Sequence, residues 1–263
     1  MTHRDIALIV VMFGAVGLEA TLPAQRGGPP PQTPSTARAQ APFDPTGYWV
    51  SLITEDWRFR MFTPPRGDYA SIPLNGAGRA KANDWDPAKD EAAGEQCRAY
   101  GAPGVMRLPT RLHITWQDDV TLKIETDAGS QTRMLRFGPP PTDAGSSWQG
   151  VSAASWDAPR PPVPASFFVL AAGGTLANPA LSLKVVTTRL RAGYLRKNGV
   201  PYSANAVLTE YFDRFDVPGG DALLVVAQEL VDPENLQSAF WTSSQFKHQN
   251  DAAGWNPTPC SAR

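Results

Sequence analysis

Residues 111–137, RLHITWQDDVTLKIETDAGSQTRMLRF, decide the fold class. Leu112, Ile114 and Trp116 alternate with His113, Thr115 and Gln117, the period-two pattern of a strand with one apolar face. Asp118-Asp119 is a turn signal, and Thr121–Thr126 resumes the alternation with Leu122 and Ile124 on the apolar side. Asp127-Ala128-Gly129 marks a second turn, and 131–137 reads as a third strand. Three short strands separated by tight turns are the signature of a strand-rich domain.

The same signature recurs outward along the chain. Aromatic and β-branched residues dominate 46–53 (TGYWVSLI) and 57–63 (WRFRMFT), and further strands are expected at 148–156, 181–190, 204–215, 222–231 and 240–247. Gly219-Gly220-Asp221 joins two of these in the manner of a hairpin. One helix is expected at 75–84, with another helical turn near 87–96. Gly47-Tyr48-Trp49 resembles the G-x-W start of lipocalin-type barrels, whose tryptophan closes the barrel bottom. The expected fold is therefore all-β: a single lipocalin-like β-barrel, or a closely packed sandwich, with one or two short helices. The Pro-rich stretch 157–180 is expected as a surface insertion.

Composition narrows the function classes. Twenty-four Lys+Arg stand against 25 Asp+Glu, a formal net charge of −1, which argues against a chain built mainly to grip nucleic acid or an anionic membrane. Charged residues are only 19% of the chain, whereas Gly (22) and Pro (26) are abundant, which suits short strands and turns rather than long helices.

The N-terminus reads as an export signal. His3 and Arg4 precede an apolar run, 6–18, that is followed by small residues around 20–24. The run is shorter than the roughly 20 residues of a spanning helix, although a retained anchor is the alternative. Residues 1–24 are thus expected as a signal peptide, 25–42 as a disordered Pro-rich linker, and 43–263 as the folded domain. The expected location is periplasmic or secreted, with no stable membrane insertion after cleavage. Cys97 and Cys260 are the two cysteines, and an oxidising compartment would join them. With so few cysteines and histidines, no metal centre and no cofactor are expected.

Familiar catalytic loops are missing. Neither phosphate-binding glycine motif occurs, and Gly150–Ala154 (GVSAA) lacks the second glycine of a nucleophile elbow. Asp84–Glu91 lacks the glycine of a calcium loop and reads as a solvated turn. Spacing within strands says more. Read as a strand, Trp57–Met61 places Arg58 and Arg60 together on one face, pointing either outward or into a cavity where they would require an anionic partner. Glu210 shares a face with Ala206, Leu208, Phe212 and Arg214 and has apolar neighbours, so it is either paired with an arginine or raised in pKa.

Several longer segments resemble a broad family of exported bacterial proteins with no agreed activity. They are Cys97–Arg136, Ser147–Ser152 with Trp156, Gly199–Ser203, Thr209-Glu210-Tyr211 and Val231-Asp232-Pro233. Members carry W-x-G-x-S, G-x-P-H-S, T-E-R and D-P segments in this order. Here Tyr202 stands at the histidine and Tyr211 at the arginine. The resemblance implies a fold and candidate positions, and no reaction.

Two function classes follow. One is an exported barrel that binds a hydrophobic or aromatic small molecule, with or without an anionic group, with Arg58, Arg60, Trp148 and Ser203 at the ligand. The other is a cofactor-free lyase, hydratase or isomerase in which Glu210 and Tyr202 transfer protons while an arginine holds the substrate anion. Arg58, Arg60, Tyr202 and Glu210 are expected to share one cavity, with Ser203 and Trp148 near its mouth. Binding alone predicts a mostly apolar cavity, and chemistry predicts polar groups within hydrogen-bond reach of one another.

Overall fold

The computed structural model describes residues 35–139, 141, 143–157 and 182–263. The expected signal peptide, the first part of the linker and nearly all of the 157–180 insertion lie outside the described residues. Nine strands close into a barrel in the order β1-β11-β10-β9-β6-β5-β4-β3-β2. These are β1 (Gly47–Leu52), β2 (Arg111–Asp118), β3 (Thr121–Thr126), β4 (Thr132–Phe137), β5 (Val151–Asp157), β6 (Ser182–Thr188), β9 (Val207–Val217), β10 (Asp221–Val231) and β11 (Phe240–Gln249). A separate hairpin, β7 (Gly193–Arg196) with β8 (Val200–Tyr202), is inserted between β6 and β9.

The strand count dictates one feature of the topology. A ring of nine strands cannot alternate direction all the way round, so at least one neighbouring pair must run parallel. That pair is β4 and β5, aligned Leu135 to Ser152 and Phe137 to Ala154. The chain leaves β4 at one end of the barrel and re-enters β5 at the other. Every other barrel pairing is antiparallel. At the β9–β10 turn, Gly219 and Gly220 both have positive φ (102° and 89°), a conformation that costs glycine little.

Period-two alternation fills the interior. On β10 the pattern eBiBiBiBiBe buries Ala222, Leu224, Val226, Gln228 and Leu230. Their counterparts Leu112, Ile114, Leu122, Ile124, Leu135, Leu183, Val185, Phe212 and Phe246 complete a continuous apolar core around Trp49. Trp49 is fully buried, donates its indole N–H to the Pro45 carbonyl (3.0 Å) and meets His248 edge-on.

The two ends of the barrel differ. One end gathers the β2–β3 and β9–β10 turns and the N-terminal segment from residue 35. In the part of the expected linker that is described, Arg38 donates its backbone N–H to Asp119 O and Ala37 O accepts from the Trp156 indole (2.8 Å). Residues 35–42 therefore lie against the barrel, anchored by an aromatic donor that needs an acceptor when half-buried.

The opposite end carries a cap built from residues 53–110, 189–206 and 232–239. It contains the short helices α1 (Trp57–Met61), α2 (Gly76–Asn83), α3 (Pro87–Ala92) and α4 (Ala102–Val105) and a 3-10 turn, Gln96–Tyr100. The helix expected at 75–84 is α2, started by Asn75, whose Oδ1 accepts from Gly78 N at 2.8 Å. Asp86 caps α3 in the same way, with Pro87 in its first turn. Asn75→Ala is expected to lower stability by about 1 kcal/mol, read from the urea midpoint at unchanged slope. Val105 and the following Met106 belong to the barrel core, so α4 plugs the barrel mouth. The rest of the cap has its own core, including Tyr69, Leu74, Leu195, Tyr202, Leu230 and Phe240.

One expected strand is a helix. Trp57–Met61 forms α1, entered through Asp56 in the left-handed region (φ 49°). The consequence for the arginines is geometric. Residues two apart sit on one face of a strand but about 200° apart around a helix. Arg58 is accordingly exposed, with a 68% accessible side chain paired to Asp68, whereas Arg60 is only 6% accessible.

The C-terminal tail crosses back over the outside of β1 and β2. Trp255 meets Tyr48 and His113 edge-on, Thr258 donates its backbone N–H to Asp127 O (2.8 Å), and Cys260 is bonded to Cys97 in the cap. The disulfide expected from the cysteine count thus ties tail to cap.

Candidate functional site

The residues singled out in the sequence do not share one cavity. Glu210 lies inside the barrel, fully buried, in an ion pair with the equally buried Arg133 of β4. Arg133 Nη1 donates to Glu210 Oε1 at 3.1 Å, and Gln228 Nε2 donates to the same oxygen at 3.1 Å. Arg133 Nη2 also donates to Thr187 Oγ1, which shares a hydrogen bond with Ser152 Oγ (2.8 Å). Ser152, the serine of the incomplete elbow motif, is therefore one polar member of this interior belt. Of the two outcomes open to Glu210, pairing with an arginine is the one realised.

Tyr202 and Ser203 lie in the cap. The Tyr202 ring is packed so closely against Gly101 and Gly193 that neither position has room for a Cβ, and its hydroxyl makes no hydrogen bond. Burial pushes its pKa upward, which disfavours phenolate formation. Ser203 donates its hydroxyl and its backbone N–H to the two carboxylate oxygens of Asp232 (2.7 and 2.8 Å). Asp232 also accepts from Asn235, so the G-x-P-Y-S and D-P segments are sewn together across the cap. Trp148 lies beneath the Arg191 guanidinium at 4.5 Å and offers its carbonyl to Ala102 N. Tyr202 and Ser203 line a cavity of about 460 Å³ with Lys81, Arg98 and Asn235, and Arg60 belongs to a different one. The expected grouping of Arg58, Arg60, Tyr202 and Glu210 is thus corrected. α1 turns its two arginines apart, and the interior ion pair holds Glu210 in the barrel.

The other cavity, about 240 Å³, is walled by Arg60 of α1, Arg107 after α4, and Arg196 and Lys197 at the end of β7, among Phe59, Met61, Leu108 and Leu195. Its lining contains no carboxylate among the described residues. All three arginines are buried. Each has one anchoring hydrogen bond. Arg60 Nε donates to Arg107 O (3.0 Å), Arg107 Nη2 to Asp56 Oδ2 (2.6 Å), and Arg196 Nη1 to Ala70 O (2.8 Å). Phe59 supports the Arg196 guanidinium from 4.4 Å. Beyond these anchors, both Nη atoms of Arg60, Nη1 of Arg107 and Nη2 of Arg196 are buried without a hydrogen-bond partner.

Buried donors without acceptors are costly, and charged ones more so. Burial, reinforced by the positive charge of Arg107, lowers the Arg60 pKa to about 10, against the weaker opposing pull of Glu55 and Asp56. Burial and Arg107 lower Arg196 to about 10 in the same way. Both groups remain protonated at neutral pH. For a base lowered on folding, the destabilisation is fully present below the folded value and is relieved only as pH rises above about 10. At neutral pH the cap therefore carries a cationic cluster whose spare donors face a shortage of acceptors.

Sequence reasoning found Arg60 and missed Arg107 and Arg196. Arg107 had a signal, a lone arginine in the otherwise apolar run Ala102–Pro109 (APGVMRLP). Arg196 had none, since Arg196-Lys197 reads as an ordinary charged turn. Comparison with known protein families, characterised proteins and solved structures gives no match.

Proposed function

We propose that this protein is an exported small-molecule-binding barrel whose ligand carries an anionic group, held in the cap by Arg60, Arg107 and Arg196. The reading is carried by one observation: four buried guanidinium nitrogens without acceptors beside a cavity free of carboxylates. These nitrogens have almost no accessible surface, so a phosphate, sulfate or carboxylate would supply the missing acceptors once the guanidinium groups turn toward the cavity. Guanidinium groups suit such planar or tetrahedral oxyanions better than ammonium groups do. The cavity is slightly smaller than the roughly 300–1,000 Å³ typical of drug-sized ligands, so it suits a head group rather than a large molecule. The barrel interior is occupied by its own side chains around Trp49, Phe212 and Phe246, which favours the cap over the barrel lumen in this reading.

Titration calorimetry with inorganic phosphate and sulfate tests this. Binding is expected, and Arg60→Met is expected to weaken it by about 10- to 100-fold, the worth of hydrogen bonds to a charged group. Phosphate at about 100 times its Kd should stabilise the wild-type fold by about 2.7 kcal/mol. Absence of a thermal shift with either oxyanion, in protein that is folded by circular dichroism, would sink the proposal.

A further inference from the structure

The helix that supplies Arg60 to the cavity also carries or adjoins exposed apolar side chains of the cap. Trp57 is 62% accessible, Met61 51% and the adjoining Phe62 68%. Trp57 and Met61 are four residues apart and so lie on one helix face, and Met61 is also part of the cavity wall. Met61 therefore joins the cavity wall to the exposed helix face that carries Trp57, and the exposed Phe62 follows Met61 directly in the chain. Scattered exposed apolar residues are ordinary, but a contiguous run leading out of a binding cavity marks an interaction site.

We infer that the ligand is a single amphiphilic anion, its oxyanion head held by Arg60, Arg107 and Arg196 and its alkyl or aryl tail lying over Met61, Trp57 and Phe62. This deepens the proposed function and rests on it. Charge complementarity selects the head, since the unpartnered N–H groups can donate only to an electron-rich group such as an oxyanion. Size selects the placement, since a cavity of about 240 Å³ accommodates a head group while a tail of several carbons must emerge. The point of emergence is Met61, an unbranched side chain able to repack around tails of different shape. The chain's formal net charge of −1 gives no broad attraction to an anionic bilayer, which favours a dispersed amphiphile over a membrane surface.

A homologous ligand series tests the inference on the intact protein. Inorganic phosphate, methyl, butyl and octyl phosphate, with octanol as the headless control, are titrated calorimetrically below their micelle-forming concentrations. Affinity is expected to rise by about two- to fourfold per methylene, the upper value corresponding to full burial of each group. In Trp57→Ala/Phe62→Ala the rise should flatten, while inorganic phosphate binds as it does to the wild type. Octanol alone should bind at least 100-fold more weakly than octyl phosphate. A flat series with phosphate binding retained overturns the amphiphile and leaves the anion site standing. Octanol binding as tightly as octyl phosphate overturns it too, by making the head irrelevant. If neither inorganic phosphate nor any alkyl phosphate binds, the anion site itself is wrong. Adsorption to phosphatidylglycerol vesicles without binding of dispersed octyl phosphate would make the surface a membrane contact and overturn the single-molecule ligand.

Discussion

Glu210→Leu is expected to destabilise the protein by about 3–5 kcal/mol, because it leaves Arg133 as an unpaired cation inside the barrel. The loss should exceed that of a simple hydrogen-bond deletion. Gln228 Nε2 loses its acceptor in the same change, and the remaining neighbour of Arg133, Thr187, offers only a neutral hydroxyl at 3.4 Å. Arg133→Met in the same chain should recover most of the loss, since both charges are then gone and only the neutral Gln228, Thr187 and Ser152 remain as polar neighbours. Urea titration of the two single variants and the double variant gives the coupling energy directly. A cost below about 1 kcal/mol for either single change would mean that the pair is hydrated, and the picture of a sealed interior belt would fail. The same experiment separates the belt from the cap. Phosphate should still stabilise the double variant, because neither side chain lines the arginine cavity.

The barrel was legible in the sequence because burial and period two coincide along its strands. Leu112, Ile114, Leu122 and Ile124 were read on the apolar face and are buried in the core. The interior ion pair was half legible. Glu210 shares a face with Leu208 and Phe212, and Arg133 shares one with Leu135, so both charges stand on apolar faces of the sequence pattern. Their mutual contact depends on which strands meet across a closed ring, and alternation within a strand carries no such information. Trp57–Met61 failed for a different reason. Positions 57 and 61 fall on one face in both a strand and a helix, so five residues cannot separate period 2 from period 3.6. Only the arginines discriminate, and their burial was unknown. The candidate site is built from three segments far apart in the chain, and the topology of the cap, not any local motif, brings Arg60, Arg107 and Arg196 together.

Removing the Cys97–Cys260 bond should produce the other large effect. The two residues are 163 positions apart, and on the chain-entropy model a loop of that length contributes up to about 5 kcal/mol. Cys97→Ser/Cys260→Ser is expected to approach that loss, measured as the shift in guanidinium midpoint against the oxidised wild type. The physical reason lies in what the bond spans. Cys97 sits in the 3-10 turn just before α4, the helix that plugs the barrel mouth, and Cys260 lies in a tail that crosses the outer face of β1 and β2. Without the bond, the tail is held by Trp255 against Tyr48 and His113, by Thr258 on Asp127, and by Ser261 on the Tyr100 hydroxyl. These contacts are peripheral, so hydrogen exchange should show residues 255–263 opening first, with the barrel strands still protected. Tyr100 also lines the arginine cavity, which links the tail to the proposed site. Reduced protein should therefore bind phosphate more weakly than oxidised protein even where both are folded. Equal midpoints for the serine variant and the wild type would show that the tail contacts alone secure the cap, and the bond would have no part in holding the site together.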